Sequence, residues 1–376
     1  MKTLYEQVYE SLKKEIISSK YKVGDRVPSE KDLADTYQVS RITTKKALEK
    51  LMNEGYVYRQ QGRGTFVSEF KDGMKREVVT PEIPLEQKKP LFGLIVTSFD
   101  DSFGNGLVSY LEEASTDHSF IILKQSKGKT EIEEKHIKEL LAFGVDGLIV
   151  SPAQSEHYSS EILKMVVNKF PLVLIDRAFK GVAATSVSTE NEDAAEKGMN
   201  HLFQLGHEHV GVLMPINYET TTIEDRLNGI VHAFANKQTK VNRELWFSNI
   251  QSTLAIPKAT KREDIEAIKE HIKQQPQMTA LFALEYHIAV MAKIAVEELG
   301  YKIPRDISII CFDSPPDCMR KFTHLKQNEK KIGELAITRL LDMCKGEFEF
   351  KQDKIPATLV KGNTTTFCSE KKVTKG

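Results

Sequence analysis

Carboxylate, guanidinium and amide side chains recur in this chain just past short apolar runs, the place from which a parallel sheet presents polar groups to a crevice. Asp101 and Phe103 follow the run 92–96, Asp176 and Arg177 follow 172–175, Glu285 follows 280–283 and Asp313 follows 307–312. Gln327 comes just after Leu325, and Arg226 stands at the start of a helical segment. Carboxylates accept hydrogen bonds, a guanidinium donates them and an amide does both, so the set suits a hydroxyl-rich small molecule, with Phe103 offering a flat face to its C–H surface. Catalytic patterns are missing. There is no GxSxG elbow, P-loop or HExxH, and Gly104-Asn105-Gly106 is followed by Ser109 where a dinucleotide fingerprint needs a third glycine. His207 and His209 flank a strand start, where a structural hydrogen bond is the commoner role. Cys311, Cys318, Cys344 and Cys368 have neither a CxxC spacing nor a companion histidine cluster, so they read as reduced thiols. Neither enzymatic activity nor a metal or cofactor is expected.

A second group lies near the N-terminus, where Arg41, Thr43, Lys45 and Lys46 open a segment that Ser40 caps. A helix entering the major groove touches base edges with its first residues. Arg41 is placed to read a guanine through two hydrogen bonds, Thr43 to touch a base or a phosphate, and Lys45 to hold backbone. The surrounding elements have to deliver these side chains. Tyr5, Val8, Leu12 and Ile16 give a first helix one apolar stripe, and Val23-Gly24-Asp25 ends it. Ser29 caps a second helix with Asp32 as its reciprocal acid, burying Leu33, Ala34 and Tyr37. Gln38-Val39 forms a tight turn before the third helix, which buries Ala47, Leu48 and Leu51. Runs at 56–59 and 65–67 then flank Gln60-Gln61-Gly62-Arg63-Gly64, a hairpin whose Arg63 reaches toward a minor groove. Residues 4–67 resemble the winged helix-turn-helix of the GntR family of bacterial transcription regulators. The resemblance implies DNA contacts from Lys31, Ser40, Arg41, Thr43 and Lys45, with Gln61 and Gly62 at the wing. Lys45 and Lys46 stand where that family commonly has Arg and an acidic or other residue, a change that matters because lysine lacks the two-pronged donor geometry of arginine.

The rest of the chain is a different kind of object. With 53 basic and 53 acidic side chains the net charge is zero, so attraction to nucleic acid has to be local; residues 1–70 hold 13 Lys and Arg against 10 Asp and Glu. At 376 residues more than one domain is expected. Charged, proline-interrupted sequence between Ser68 and Pro90 reads as a linker. From Leu91 onward, strands at 92–96, 120–123, 147–150, 172–175, 210–214, 280–283 and 307–312 alternate with helices near 104–116, 131–143, 161–168, 193–205, 224–235, 262–274 and 286–299. That alternation predicts an α/β body of two lobes with parallel sheets. No apolar run is long enough to span a membrane and no hydrophobic signal core opens the chain, so the cytoplasm is the expected location.

Val173-Leu174-Ile175-Asp176-Arg177, Glu190-Asn191, Leu205-Gly206-His207, Arg226 with Gly229, Ile303-Pro304-Arg305-Asp306, Phe312-Asp313 and Lys326-Gln327 form an ordered series. Over 91–367 this series resembles the LacI/GalR-type effector domain, itself similar to periplasmic sugar-binding proteins. The resemblance implies ligand contacts from Asp101, Phe103, Asp176, Arg177, Arg226, Glu285, Asp313 and Gln327. Glu285-Tyr286 stands where that family usually has Asn-Asp, and Cys311 where it usually has Gly. A GntR head on a LacI-type sensor is similar to arabinose-repressor-type regulators. The expected organisation is a winged helix-turn-helix at 1–68, a linker at 69–90, a two-lobed periplasmic-binding-protein-like sensor at 91–367 and a tail at 368–376. The expected partners are double-stranded operator DNA, a sugar or sugar derivative as effector, and a second copy of the chain in a homodimer. A nucleoside or purine effector, or a solute receptor without a DNA role, are the alternatives.

Overall fold

The computed structural model describes residues 4–60, 63–68, 89–98, 104–154, 160–179, 181–216, 220–315 and 321–368. The chain divides into two compact units, Met1–Lys88 and Lys89–Gly376. Of the expected linker only Lys89 and Pro90 fall among the described residues, and of the expected tail only Cys368.

In the first unit, helices α1 (Leu4–Ile17), α2 (Glu30–Tyr37) and α3 (Arg41–Asn53) precede the antiparallel strands β1 (Val57–Gln60) and β2 (Gly64–Val67). The core is Val8, Tyr9, Leu12 and Ile16 of α1 against Leu33, Ala47, Leu48, Leu51, Tyr56 and Val67. Tyr9 takes the buried place that the apolar spacing assigns to Tyr5, because its ring packs inward while its hydroxyl reaches Glu54. Helix α1 stops at Ile17, short of Val23, with Ser19 at φ 59° closing it. Ser29 and Asp32 form the reciprocal cap of α2, and Gln38, at φ 52°, makes the left-handed turn into Ser40, whose hydroxyl accepts from the Thr43 N–H. Arg26 bridges Phe66 and extends the wing by one residue pair.

The second unit holds two six-stranded sheets. The first uses β3 (Leu91–Val96), β4 (Phe120–Gln125), β5 (Gly147–Val150), β6 (Leu172–Ile175), β7 (Thr185–Thr189) and β13 (Gln352–Ile355) in the order β13-β7-β6-β5-β3-β4. The second uses β8 (Val210–Pro215), β9 (Phe247–Ile250), β10 (Ala280–Ala283), β11 (Ser308–Phe312), β12 (Thr323–Lys326) and β14 (Thr358–Val360) in the order β14-β12-β11-β10-β8-β9. Every pairing is parallel except that of β12 with β14. Helices α4 (Asn105–Ser115), α5 (Thr130–Phe143), α6 (Ser160–Val167) and α11 (Glu329–Cys344) belong to the first lobe, and α7 (Asn191–Gln204), α8 (Thr221–Asn236), α9 (Lys261–Gln274) and α10 (Tyr286–Glu298) to the second. Successive strand residues feed opposite faces: Val210, Val212, Phe282 and Phe312 pack on one side of the second sheet, Leu213, Leu281, Ile309 and Cys311 on the other. Burial on both faces is why these strands read as continuous apolar runs. No helix among the described residues is long and apolar enough to cross a membrane.

Five strands and one helix of this unit, α11, have no counterpart in the sequence reading. Strand β7, Thr-Ser-Val-Ser-Thr, is fully buried although four of its five residues are hydroxylic, since it lies between β6 and β13. Strands β9, β12, β13 and β14 are three or four residues long and mix polar with apolar side chains without a sustained apolar run, so their partners do much to hold them extended. The chain passes between the lobes three times, after β7, after β12 and after β13. These passages are stitched together: the Glu190 N–H donates to the Ile355 carbonyl at 2.9 Å, and the Thr189 hydroxyl donates to Gln327 Oε1 at 2.5 Å. At Gly229 an added Cβ would stand 2.0 Å from the Glu192 carbonyl oxygen, so glycine is what lets α8 lie this close to α7.

Candidate functional site

The two lobes enclose a cleft of about 430 Å³. Six of the eight residues expected to meet a ligand line it: Asp176, Arg177, Arg226, Glu285, Asp313 and Gln327. Asp101 and Phe103 lie outside the described residues. Asp176 and Asp313 end equivalent strands in the two lobes, β6 and β11, and both are left-handed, at φ 66° and 58°. Aspartate tolerates that conformation better than most residues. Each N–H still bonds across to the neighbouring strand, Asp176 to Val187 O and Asp313 to Leu325 O. The sharp turn that follows is what puts both residues on the cleft wall.

Arg226 departs from expectation in one respect. It sits on the second turn of α8, not at a helix start, and is only 5% exposed. Its Nε donates to Asn191 Oδ1 at 2.8 Å and its Nη1 to the Leu284 carbonyl at 2.6 Å, while the guanidinium lies 3.6 Å from the centre of the Phe312 ring. Burial pulls its pKa down, opposed by the carboxylates of Asp313, Asp176 and Glu285. Burial in turn pushes Asp313 up to about 7, opposed by Arg226 and by a 2.8 Å hydrogen bond from Gln327 Nε2. Burial also raises Glu285, against the pull of Arg226 and Arg177. Gln327 thus joins the hinge to the site, accepting from Thr189 on one passage while donating to Asp313.

Arg177 is held from its own lobe. Its Nη1 donates to the Pro152 and Ala153 carbonyls at 3.2 and 3.0 Å, and its Nε lies 3.4 Å from Asp176 Oδ2. Behind that loop Glu133, 1% exposed, accepts from the Ala153 N–H at 2.6 Å, and burial pushes its carboxyl up to about 7. Nothing in the sequence marks Glu133, which sits in an ordinary amphipathic helix. Ser151, Thr222, Ser252, Lys261 and His287 also line the cleft unforeseen. Ser151 follows β5 and carries the same strand-end signal as Asp176; the others arrive from a helix or a loop of the second lobe and give no local sign.

The described lining residues include three acidic side chains, Asp176, Glu285 and Asp313, and three basic ones, Arg177, Arg226 and Lys261. Equal numbers of acidic and basic groups, with Glu285 and Asp313 biased by burial toward their neutral forms, leave directional hydrogen bonding as the means of selection. The raised Asp313 has a consequence for stability. Folded, it keeps its proton up to about pH 7; unfolded, an aspartate ionises near about pH 4. Its contribution is therefore complete below about pH 4 and is lost as pH rises through 7, at roughly 1.4 kcal/mol per pH unit within that window. Asp313→Asn should flatten that part of the melting profile while the slope due to Glu133 stays. Equal profiles for the two proteins would remove Asp313 from the account.

The first unit presents its polar face separately. Lys31, Ser40, Arg41, Lys45 and Arg63 are exposed and Thr43 is partly so. Ser40 and Thr43 hydroxyls lie 2.9 Å apart, Lys45 makes only a 3.9 Å ion pair with Glu49, and the Arg63 N–H closes the wing turn onto the Gln60 carbonyl. Gln61 and Gly62 lie outside the described residues.

Residues 4–67 match the model of bacterial regulatory proteins of the gntR family, and residues 199–365 that of the periplasmic binding protein-like domain. The chain is thus a gntR-type helix-turn-helix head joined to a periplasmic-binding-protein-like sensor. It is similar to the arabinose metabolism transcriptional repressor of Geobacillus stearothermophilus, at 26% identity over 349 residues that cover 90% of each chain. It is also similar to the HTH-type transcriptional repressor PurR of Photobacterium profundum, at 24% identity over 67% of this chain and 74% of that one. A LacI family transcriptional regulator from Enterococcus faecium, solved with bound ribose, shares the fold with a TM-score of 0.62 at 20% identity, over 74% of this chain and all of that one.

Proposed function

We propose that this chain is a transcriptional regulator, a repressor of carbohydrate-utilisation genes, whose operator affinity is set by a sugar or sugar derivative held between the lobes. The observation that carries the reading is one chain joining a capped, basic recognition helix to a charge-balanced cleft whose walls come from two hinged lobes. A ligand touching both walls favours one inter-lobe arrangement, and in a homodimer that arrangement alters the separation of two heads. Half-sites lie about one helical turn or a multiple apart, so a few ångströms decide whether both heads engage. Coupling of this kind is typically about 1 to 3 kcal/mol, or roughly 5- to 150-fold in operator affinity. The relatives matched bear the names of transcriptional regulators, and we read the chain as a binding protein without catalysis, working on operator DNA in the cytoplasm.

A neutral polyol fits the lining better than a nucleobase does. Tyr286 and His287 are the aromatic side chains among the described lining residues, and the Tyr286 ring already stands edge-on to Phe322 with centroids 6.0 Å apart. A purine wants a flat stacking partner. The test is a thermal-shift screen of pentoses, hexoses, their phosphates and nucleosides, since a ligand that binds the native state raises its melting temperature. A shift with nucleosides alone would overturn the sugar reading. Arg177→Ala should then weaken the selected sugar by about 10- to 150-fold, the scale of a hydrogen bond from a charged group, and leave sugar-free operator affinity unchanged. A gel shift with and without the sugar reads both numbers, and a variant that responds normally would take Arg177 out of the site.

A further inference from the structure

The outer face of α3 carries a residue that neither the polar readout nor the core of the head uses. Ile42 is 69% exposed, and α3 has no other exposed large apolar side chain. At 100° per residue Thr44, Ala47, Leu48 and Leu51 make the buried stripe of this helix, and Ile42 points almost directly away from it. Lys45 and Lys46, three and four residues on, share its side of the helix, and both are exposed. Arg41 and Thr43 flank it in the first turn. The packed residues of the head do not include it, so its apolar surface stays open to a partner. In the major groove the apolar group on offer is the 5-methyl of thymine.

We propose that Ile42 is a specificity-determining residue that reads thymine, its side chain docking on the 5-methyl group in the operator's major groove while Lys45 and Lys46 hold the phosphates on either side. The inference rests on the DNA-binding reading above and adds to it a base identity that the polar residues of α3 do not supply. The contact is one methyl against one side chain, so its removal should cost about 3- to 5-fold in affinity per half-site, the equivalent of one buried methylene.

The experiment uses the full chain. An operator duplex is selected from a random-sequence library, and each thymine in it is then replaced singly by uracil, which removes the methyl and keeps every hydrogen bond. Wild type should lose about 3- to 5-fold at one position in each half-site. In Ile42→Ser, whose substitution lies outside the core, the same replacement should cost nothing, and reselection should relax the thymine preference there. Loss at that position persisting in Ile42→Ser, or no methyl-sensitive position at all, overturns the assignment. A changed sedimentation coefficient of Ile42→Ser without DNA would mark the residue as a protein contact and overturn it as well. Failure to enrich any duplex would overturn the DNA-binding reading itself, and this inference with it.

Discussion

Arg226→Ala is expected to abolish the effector response and to destabilise the sensor by about 3 to 5 kcal/mol, the range for removing one partner of a buried ionic cluster. Three groups lose their partner at once: the Asn191 amide oxygen, the Leu284 carbonyl and the Asp313 carboxyl, whose ionisation Arg226 favours against the effect of burial. The face of Phe312 also loses the cation stacked on it at 3.6 Å. Most of the cost comes from leaving acceptors dry and unpaired, which can be tested directly. Above about pH 7, where Asp313 ionises, Asp313→Asn removes one uncompensated carboxylate, so there the double variant Arg226→Ala/Asp313→Asn should be more stable than the sum of the single changes predicts, by at least about 0.5 to 1 kcal/mol. Urea denaturation of the four proteins closes this cycle. Strict additivity would show that Arg226 and Asp313 do not act as a pair. Operator binding by folded Arg226→Ala should persist, now without control.

Arg41→Ala is expected to have the second largest effect, and on the other unit. Arg41 is exposed at the first position of α3, outside the packed residues of the head, so its loss should leave the stability within about 0.5 kcal/mol of wild type. Operator affinity should fall by about 1 to 3 kcal/mol, roughly 5- to 150-fold, with preference relaxed at one base pair. Lys45→Ala makes the useful contrast. A phosphate contact carries no base identity, so that variant should weaken all duplexes alike and reduce the salt dependence by about one unit of slope. Competition binding at two salt concentrations separates the two patterns. Equal losses on operator and random duplex for Arg41→Ala would move Arg41 from base reader to backbone holder.

Much of the head was legible because its signals are local. Ser29 with Asp32, and Ser40 before a basic turn, satisfy helix N–H groups within three residues of themselves, so the caps could be read without knowing the fold. The choice between Tyr5 and Tyr9 was not local. Both fit the stripe of α1, and only the placement of α3 and Glu54 decides which ring is buried. The same division runs through the sensor. Strands β3, β5, β6, β10 and β11 announce themselves as largely apolar runs because helices cover both their faces.

Residue type and position along the chain were enough to determine a gntR-like head, an α/β body and a row of polar residues at strand ends, since periodicity, capping and strand-end placement depend on near neighbours. Tertiary structure alone decided that Asp176 and Asp313, 137 positions apart in the numbering, close on one space from opposite lobes, and that Glu133 braces the loop holding Arg177. It also decided that Thr-Ser-Val-Ser-Thr is a buried strand and that Gln327 ties the hinge to the site. The physical reason is common to all of these. A hydrogen bond or a desolvated charge is defined by what stands across from it, and in this protein those partners come from segments that meet only when three passages of chain bring the two sheets together.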